Sequence, residues 1–455
     1  MDEIAYRRRV FAILYVGTFM FRLAFGLSHF LAIAIVSYLF WKKIGIPAIV
    51  AIALVSFAIS FSFIEGLFAG VTGYATDILD ARIVLLLSSL IASLSMIIYI
   101  AAGIFYAELW FFLIVLMLGH AIHGIASSFK VTPTLAIISR FTVYEERAKM
   151  MGIYDMVLMY GRISGLALGG VVYAIFVGHD GNPLEGLKGF IILFILFVAV
   201  GLMFYVGLPH IPPERKGKVS HLWSRLFSHI GAGAKVMFGG LRRDLGLTWF
   251  MLACLWGLAF TLGPFILLID FGIDVESSGF ISAIITLFIG GTSPFWGLVA
   301  DKIGRKKTAT IGVLGLLITV ILAIVAIKIF GISYKDIKFY IILAPGIFCL
   351  ASIGPSFLGR LGDTAIAGER GIVSSGFQFV TSMGEVTGIV VGGIGYVLAH
   401  EYLVGTSYAP LSGIIGVGIP GLFFFFATIF FGLRLKHDEV VLREIQELMK
   451  RKSVE

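Results

Sequence analysis

Apolar stretches of about twenty residues or more recur twelve times along this chain, separated by short charged or Gly/Pro-rich breaks. They fall near 10–40, 46–73, 83–106, 109–138, 150–178, 189–208, 245–270, 278–300, 308–330, 339–360, 371–400 and 411–433. Each is long enough to cross a hydrocarbon core of ~30 Å. Each predicts a helix, because backbone amides facing lipid must be paired within their own segment. The longest polar stretch, Pro209 to Asp244, divides six spans from six. The expected organisation is an N-terminal six-helix bundle over 1–208, a connecting segment over 209–244, a C-terminal six-helix bundle over 245–435 and a tail over 436–455. In the connecting segment Trp223, Leu226, Phe227 and Ile230 face one way and Ser224, Arg225 and Ser228 the other. That pattern fits a short amphipathic helix on the membrane surface or a solvated linker. His437 to Lys452 reads as a solvated polar helix with Val441, Ile445 and Leu448 on one face.

The two halves carry repeats. Glu146-Arg147, Gly161, Arg162, Gly165, Gly169 and Gly170 recur 223 residues later as Glu369-Arg370, Gly384, Glu385, Gly388, Gly392 and Gly393. A second repeat, offset by 224, joins Gly73 and Asp77 to Gly297 and Asp301. Duplicated halves whose matching spans differ by an Arg against a Glu predict a two-lobed protein with a polar centre.

Composition agrees with the pattern: 59% of residues are hydrophobic and 14% charged, where soluble proteins carry about a quarter. The net charge of +8 could suggest a nucleic-acid surface, but its placement points elsewhere. With both termini on one side, 26 of the 35 Lys and Arg lie in segments facing that side. This is the positive-inside bias, so both termini are expected in the cytoplasm of a multi-pass cell-membrane protein. No short apolar region with a small-residue cleavage site precedes the first span, so a removable signal peptide is not expected. Cys254 and Cys349 are two residues inside spans, which predicts neither a disulfide framework nor a metal cluster. No Gly-x-x-x-x-Gly-Lys-Ser/Thr loop appears, so neither ATP drive nor another cofactor is expected.

Gly297-Leu298-Val299-Ala300-Asp301-Lys302-Ile303-Gly304-Arg305-Lys306 resembles the cytoplasmic loop signature Gly-x-x-x-Asp-x-x-Gly-Arg-Lys of the major facilitator superfamily. The first-half copy keeps Gly73, Asp77 and Arg82 but has Asp80 and Ala81 where the family has Gly and Arg. In the fourth span, Leu118 to Ser128 is similar to the family's Arg-x-x-Gln-Gly-x-Gly-Ala-Ala, with His120 for the Arg and His123 for the Gln. In the fifth, Gly161 to Gly170 resembles the exporters' Gly-x-x-x-Gly-Pro-x-x-Gly-Gly, with Leu166 for the Pro. The resemblance covers essentially the whole chain, nearest the drug/proton antiporter-like branch. It implies an all-α membrane protein of twelve transmembrane helices in two pseudo-symmetric six-helix bundles, the major facilitator fold, and a monomer. It also implies a conformational latch of Gly73, Asp77, Arg82, Gly297, Asp301, Gly304 and Arg305, and carries a proton-relay role to His120. The alternative for the latch charges is that they only fix topology.

Spans three, six, nine and twelve have almost no ionisable residue at depth and are expected to face lipid. Polar residues collect in spans one, two, four, five and eleven. Thr18, Arg22 and His29 share a face of the first span, and His120, His123, Ser127, Lys130 and Thr134 make a stripe on the fourth. Asp155 and Arg162 share a face of the fifth. Spans seven and ten offer Trp249, Trp256, Thr261, Pro264, Cys349, Ser352 and Pro355 and no central charge. One wall is cationic and polar, the other apolar and aromatic, which fits an amphipathic organic solute with an anionic or polar head. Candidate substrate contacts are Arg22, His29, His120, His123, Lys130, Arg162 and Trp256. Candidate proton-coupling groups are Glu65, Asp155, Glu385 and His120, since ionisable groups in the membrane are costly to keep charged. The structural alternatives are that Glu65 partners Arg22 or Arg162, that the histidines bond within the bundle, and that Lys130 snorkels to the surface.

The expected function is secondary active transport by alternating access, proton-coupled and of the export, antiporter type. The partners are a small-molecule or lipid-like substrate, protons and membrane lipids, with no nucleic acid. Competing readings are uptake of a small anionic metabolite and flipping of a lipid-linked molecule. From another class comes a membrane-embedded lipid-modifying enzyme using His120, His123 or His179-Asp180.

Overall fold

The computed structural model describes residues 3–177, 182–218, 226–259, 275–332, 336–403 and 412–452. The first half holds α1 (Glu3–Ile44), α2 (Pro47–Ile78), α3 (Ala81–Ala102), α4 (Leu109–Phe141), α5 (Tyr144–Val177) and α6 (Gly189–Gly207). The connecting segment forms α7 (Leu226–Phe238). The second half holds α8 (Arg243–Gly257), α9 (Val275–Ile303), α10 (Arg305–Ile324), α11 (Ile337–Leu350), α12 (Ile353–Asp363), α13 (Arg370–Leu403) and α14 (Ser412–Leu433), followed by α15 (Asp438–Lys452). Eleven described helices or helical stretches are long and apolar enough to cross a membrane. The seventh expected span is described as a helix only through Gly257 and two further residues, so Thr261 and Pro264 lie outside the described residues, as do Trp223, Arg225 and the His179-Asp180 pair.

Local sequence sets the breaks. Gly45 takes a positive φ of 69° between α1 and α2, and Pro47 opens α2, where its missing N–H is not needed. Asp80 caps α3 by accepting from the Arg82 amide at 2.9 Å. Gly304, at φ 101°, makes the turn between α9 and α10 that only glycine adopts without strain. The tenth expected span, 339–360, is not one helix: it breaks at Ala351–Ser352 into α11 and α12. Pro355 explains the break, since it has no amide to donate to the carbonyl four residues back, at Ala351. Ser352 is held instead by its hydroxyl, which donates to the Thr308 carbonyl at 2.9 Å.

The outward helices match the expected lipid-facing spans. Leu94 and Ile97 on α3, Ile195 and Leu202 on α6, Ile321 on α10 and Phe423 on α14 are all exposed. Within the halves, α1 packs along α5 and α8 along α13. The glycine ladders account for both pairs. A Cβ at Gly26 would strike the Arg162 carbonyl and one at Gly165 the Leu23 carbonyl; Gly388 stands in the same relation to Cys254 and Gly257 to Glu385. The ladder glycines Gly161 and Gly165 of α5 and Gly384 and Gly388 of α13 thus let two helices of one bundle touch backbone to backbone, whereas Gly393 faces Val55 of the other lobe.

Lobe-to-lobe contact uses a different set. The second helix of each half packs on the fifth helix of the other, α2 on α13 and α5 on α9. Gly66, Gly73 and Gly371 clear space in the first seam, Gly152 and Gly297 in the second. Gly165→Ala should lower the thermal unfolding temperature by several degrees. Gly170→Ala, whose new methyl would meet only Phe30 Cζ at 3.8 Å, should leave it unchanged; a scan on the purified protein checks the contrast.

Candidate functional site: a cationic inner wall between two sealed seams

At the end of the molecule that carries both chain termini, the two seams are closed by related sets of bonds. Asp301 at the end of α9 accepts from the amides of Ala148 (3.1 Å) and Lys149 (2.9 Å) at the start of α5. Asp77 at the end of α2 accepts from the Gly371 amide at 2.7 Å at the start of α13. Each aspartate places its charge at a helix N-terminus of the opposite lobe, where unpaired N–H groups favour an anion. Around Asp301 the bonding continues. Arg305, 1% exposed, reaches Asp301 at 2.6 Å and Asp363 at 3.1 Å, and it donates to the Tyr144 carbonyl at 2.6 Å. Arg147 donates to Asp363 at 2.8 Å. Two cations and two carboxylates from both lobes thus balance one another.

Of the expected latch residues, Gly73, Asp77, Gly297, Asp301 and Arg305 meet across the seams, and Gly304 shapes the turn beside them. Arg82 does not cross. Its partners are Asp80 at 2.8 Å, His210 at 3.2 Å and the Tyr205 ring. Burial acts to raise the Asp80 carboxyl, but hydrogen bonds from Arg82 and His210 outweigh it and hold the group below its ordinary range. Arg147, Asp363, Arg370 and Glu214 also bond across the seams and were not among the expected site residues. The Glu-Arg pairs of the long repeat were the available signal for the two arginines. The tail helix is also less free than expected. Asp438 accepts from the Lys306 amide and pairs with Arg360 at 3.1 Å, and Val441 is buried, while Leu448 and Met449 remain exposed.

Deeper in the first seam two carboxylates cross, Glu65 buried and Glu385 half-buried. Ser382 on α13 donates to Glu65 on α2 at 2.8 Å, and Ser62 on α2 donates to Glu385 on α13 at 3.1 Å. Ser62 and Glu65 are three residues apart, as are Ser382 and Glu385, so one helical face of each lobe presents a serine and a glutamate to the other. Gln378, one turn before Ser382, donates to its hydroxyl at 3.2 Å. In the second seam Asp155 accepts from Ser293 at 2.8 Å.

The inner wall of the first lobe is cationic and short of partners. Arg22 on α1 and Arg162 on α5 flank the Phe25 ring, at 5.4 and 5.9 Å. Lys130 on α4 is fully buried, with Nζ 5.0 Å from the Tyr154 ring. It does not snorkel. Neither Arg22 nor Lys130 has a carboxylate within 4 Å among the described residues, although Arg22 lies within Coulombic range of both Lys130 and Glu65. Among the described residues, Thr18 Oγ1, Arg22 Nε and Lys130 Nζ are buried with no hydrogen-bond partner, while the buried Ser127 hydroxyl faces Glu65 and the Tyr154 hydroxyl faces Arg22.

The histidines sit further along the same wall in an aromatic setting. His120 stacks on Phe57 at 4.0 Å, pairs through Nδ1 with the Tyr99 hydroxyl at 2.7 Å and lies 5.3 Å from His29. His123 meets Phe25 and Phe197 edge-on. No cluster of three or more His, Cys, Asp or Glu fit for a metal occurs among the described residues. On the facing lobe, Trp256 packs edge-on against Trp249 at 5.2 Å. Trp249 rests on Phe377 and Phe357 and donates to Thr381 at 2.7 Å. Arg22, Lys130 and Arg162 thus belong to the first lobe and the Trp249–Trp256 pair to the second.

Known proteins bear on this geometry. The family model described as Major Facilitator Superfamily matches residues 14–269. No curated protein matches the chain by sequence. Among solved structures, the human organic anion transporter MFSD10 (TETRAN) is similar at 19% identity and a TM-score of 0.67, over 93% of this chain and 99% of that one. The proton:xylose symporter XylE, bound to 6-bromo-6-deoxy-D-glucose, is similar at 14% identity and a TM-score of 0.67, over 95% and 96%. The E. coli fucose:proton symporter FucP follows at 13% and 0.63, over 94% and 98%.

Proposed function

The chain belongs to the major facilitator superfamily, a family of secondary transporters rather than enzymes, and from that premise we propose that it carries an amphipathic organic anion across the cell membrane by alternating access. One observation supports the substrate class: Arg22 Nε and Lys130 Nζ are buried near each other without a hydrogen-bond partner, and neither side chain has a carboxylate within 4 Å among the described residues. Two cations without a contacting counter-charge in a bundle interior are costly to keep, and Glu65 offsets only Arg22, from a distance. An anionic head that accepts from Arg22, Lys130, Tyr154, Ser127 and Thr18 removes that penalty. Arg162 supplies further positive charge, and the Trp249/Trp256 face of the other lobe takes the apolar body. His29 and His123 bound the same chamber.

The coupling ion is the proton, and the coupling groups are Glu65 and Glu385, because their bonds to Ser382 and Ser62 span the two lobes and must change when the lobes part. Asp155 stands in the same position in the second seam. His120, bonded to Tyr99 within its own lobe, serves the chamber rather than the coupling. Rocking of lobes 1–208 and 245–435 then exposes the chamber on each side in turn, with the Asp77 and Asp301 contacts closing the cytoplasmic end and both termini in the cytoplasm.

Export is the first reading of direction, supported by the resemblance of Gly161 to Gly170 to the exporters' motif, in which Leu166 stands for the Pro. A second reading, uptake, is favoured by the nearness of Arg22 to Glu65: protonating the glutamate removes a negative charge beside an anion site, so proton and anion would bind together. The test is flux of a labelled aryl carboxylate in proteoliposomes of known orientation, with a pH gradient imposed in each direction. Transport of the anion but not of its uncharged amide, driven by the gradient, is the expected result. Equal transport of the amide would remove the anion assignment, and the sign of the gradient that drives flux decides between export and uptake.

A further inference from the structure

The first-half loop motif lacks the arginine that Arg305 provides in the second half, yet its seam is closed by a charge bond of comparable build. Arg147 and Arg370 are equivalent in the repeat, each four or fewer residues into the fifth helix of its half. Arg147 finds its anion in Asp363, at the end of α12 in the other lobe. The position equivalent to Asp363 in the first half, 223 residues earlier, is Arg140. The sign is reversed, so no acid on α4 can receive Arg370.

The acid comes from the connecting segment. Glu214 accepts from Arg370 Nη1 at 2.5 Å and from the Gly368 amide at 2.6 Å. Its carboxylate also lies 3.8 Å from Arg140, and the pair with Arg370 is 11% and 20% exposed. The segment that presents it is fixed to the first lobe. The Ala81 amide donates to the Ile211 carbonyl, Arg140 to the Pro212 carbonyl at 2.7 Å, and the amides of Glu214 and Arg215 to the Asp77 carbonyl at 3.0 and 3.1 Å. Arg215 covers the Tyr74 ring at 4.8 Å.

We infer that Glu214 is the missing gate residue of the first seam: a carboxylate on the connecting segment, clamped to one lobe by its backbone, that holds the other lobe through Arg370 and the Gly368 amide. Arg140, reversed in sign at the symmetric position, positions the carboxylate instead of supplying one. Opening of this end therefore requires the Glu214 bonds to break together with the Asp77 cap, and the segment acts as a strap as well as a tether. This role does not depend on what is carried.

The test is the distance between spin labels at Arg8→Cys and Lys307→Cys, exposed positions on the two lobes at this end, in the full chain with Cys254 and Cys349 replaced by Ala. Glu214→Gln should raise the population of the longer, open distance about tenfold, the scale of one charge-assisted hydrogen-bond set. Arg370→Gln should do the same, and the double variant should go no further than either single one. Glu214→Asp, which keeps the charge, should sit between Glu214→Gln and the parent and so separates gating from a folding defect. An unchanged distance distribution in Glu214→Gln, or additive effects of the two neutralisations, overturns the assignment.

Discussion

Lys130→Met is expected to weaken binding of an anionic amphiphile about a hundredfold, while the empty protein becomes more heat-stable rather than less. The first half of that result follows from removing a desolvated cation from the head-group site, where a charged partner is worth about 2–5 kcal/mol. The second half follows from the missing counter-charge. Lys130 is fully buried, and among the described residues its ammonium has no hydrogen-bond partner and no carboxylate within 4 Å. A thioether-bearing chain of similar length fills the same volume without a charge to desolvate. A lysine kept for packing or for a hidden ion pair would behave in the opposite way, because its removal would lower the unfolding temperature. Thermal shifts with and without a labelled aryl carboxylate read both halves in one experiment. Arg22→Gln should give the same loss of ligand shift, with a smaller gain in the empty protein, since Arg22 also rests on Phe25. Ligand shifts unchanged in both variants would take the two cations out of the site.

The sequence made the eleven spans found among the described residues, the repeat between halves and the lipid-facing helices legible because each is written in periodic hydrophobicity or in a residue-for-residue repeat. It also marked Asp77 and Asp301, whose spacing from glycine survives in both copies. What it did not mark has a physical reason in each case. The glycine ladders signal close helix approach, but a small residue does not say which helix approaches; most of these meet α1 or α8 of their own lobe, and Gly393 meets α2 of the other. Lys130 near a span end was compatible with snorkelling; only the placement of its ammonium against Tyr154 inside the bundle decides the matter. Asp363 and Glu214 are single acids with no partner nearby in sequence, and their arginines lie 216 and 156 residues away. The break at Ala351–Ser352 could be anticipated from Pro355. The docking of Asp438 on the α10 N-terminus could not, since it joins a tail to a loop more than 130 residues earlier.

Glu65→Gln is expected to abolish the response to a pH gradient, a loss of about a hundredfold in gradient-driven flux, while exchange of labelled for unlabelled anion across the membrane stays within about threefold of the parent. Net coupled transport needs the empty carrier to return in a protonation state different from that of the loaded carrier; exchange does not require an empty return. The amide in the variant still accepts a hydrogen bond from Ser382, so the α2–α13 crossing is kept, but it cannot lose or gain a proton. Glu385→Gln should act in the same way through Ser62. The two are linked by symmetry of placement, each glutamate taking a serine from the other lobe, so the double variant should add little to either single one. Ser382→Ala separates coupling from mere adhesion of the lobes: it removes the bond and keeps the carboxylate, so gradient response should persist with altered rate. Should both glutamine variants keep full gradient-driven flux, the proton enters elsewhere, and Asp155, half-buried and bonded to Ser293 in the second seam, is the next carboxylate at a lobe crossing among the described residues.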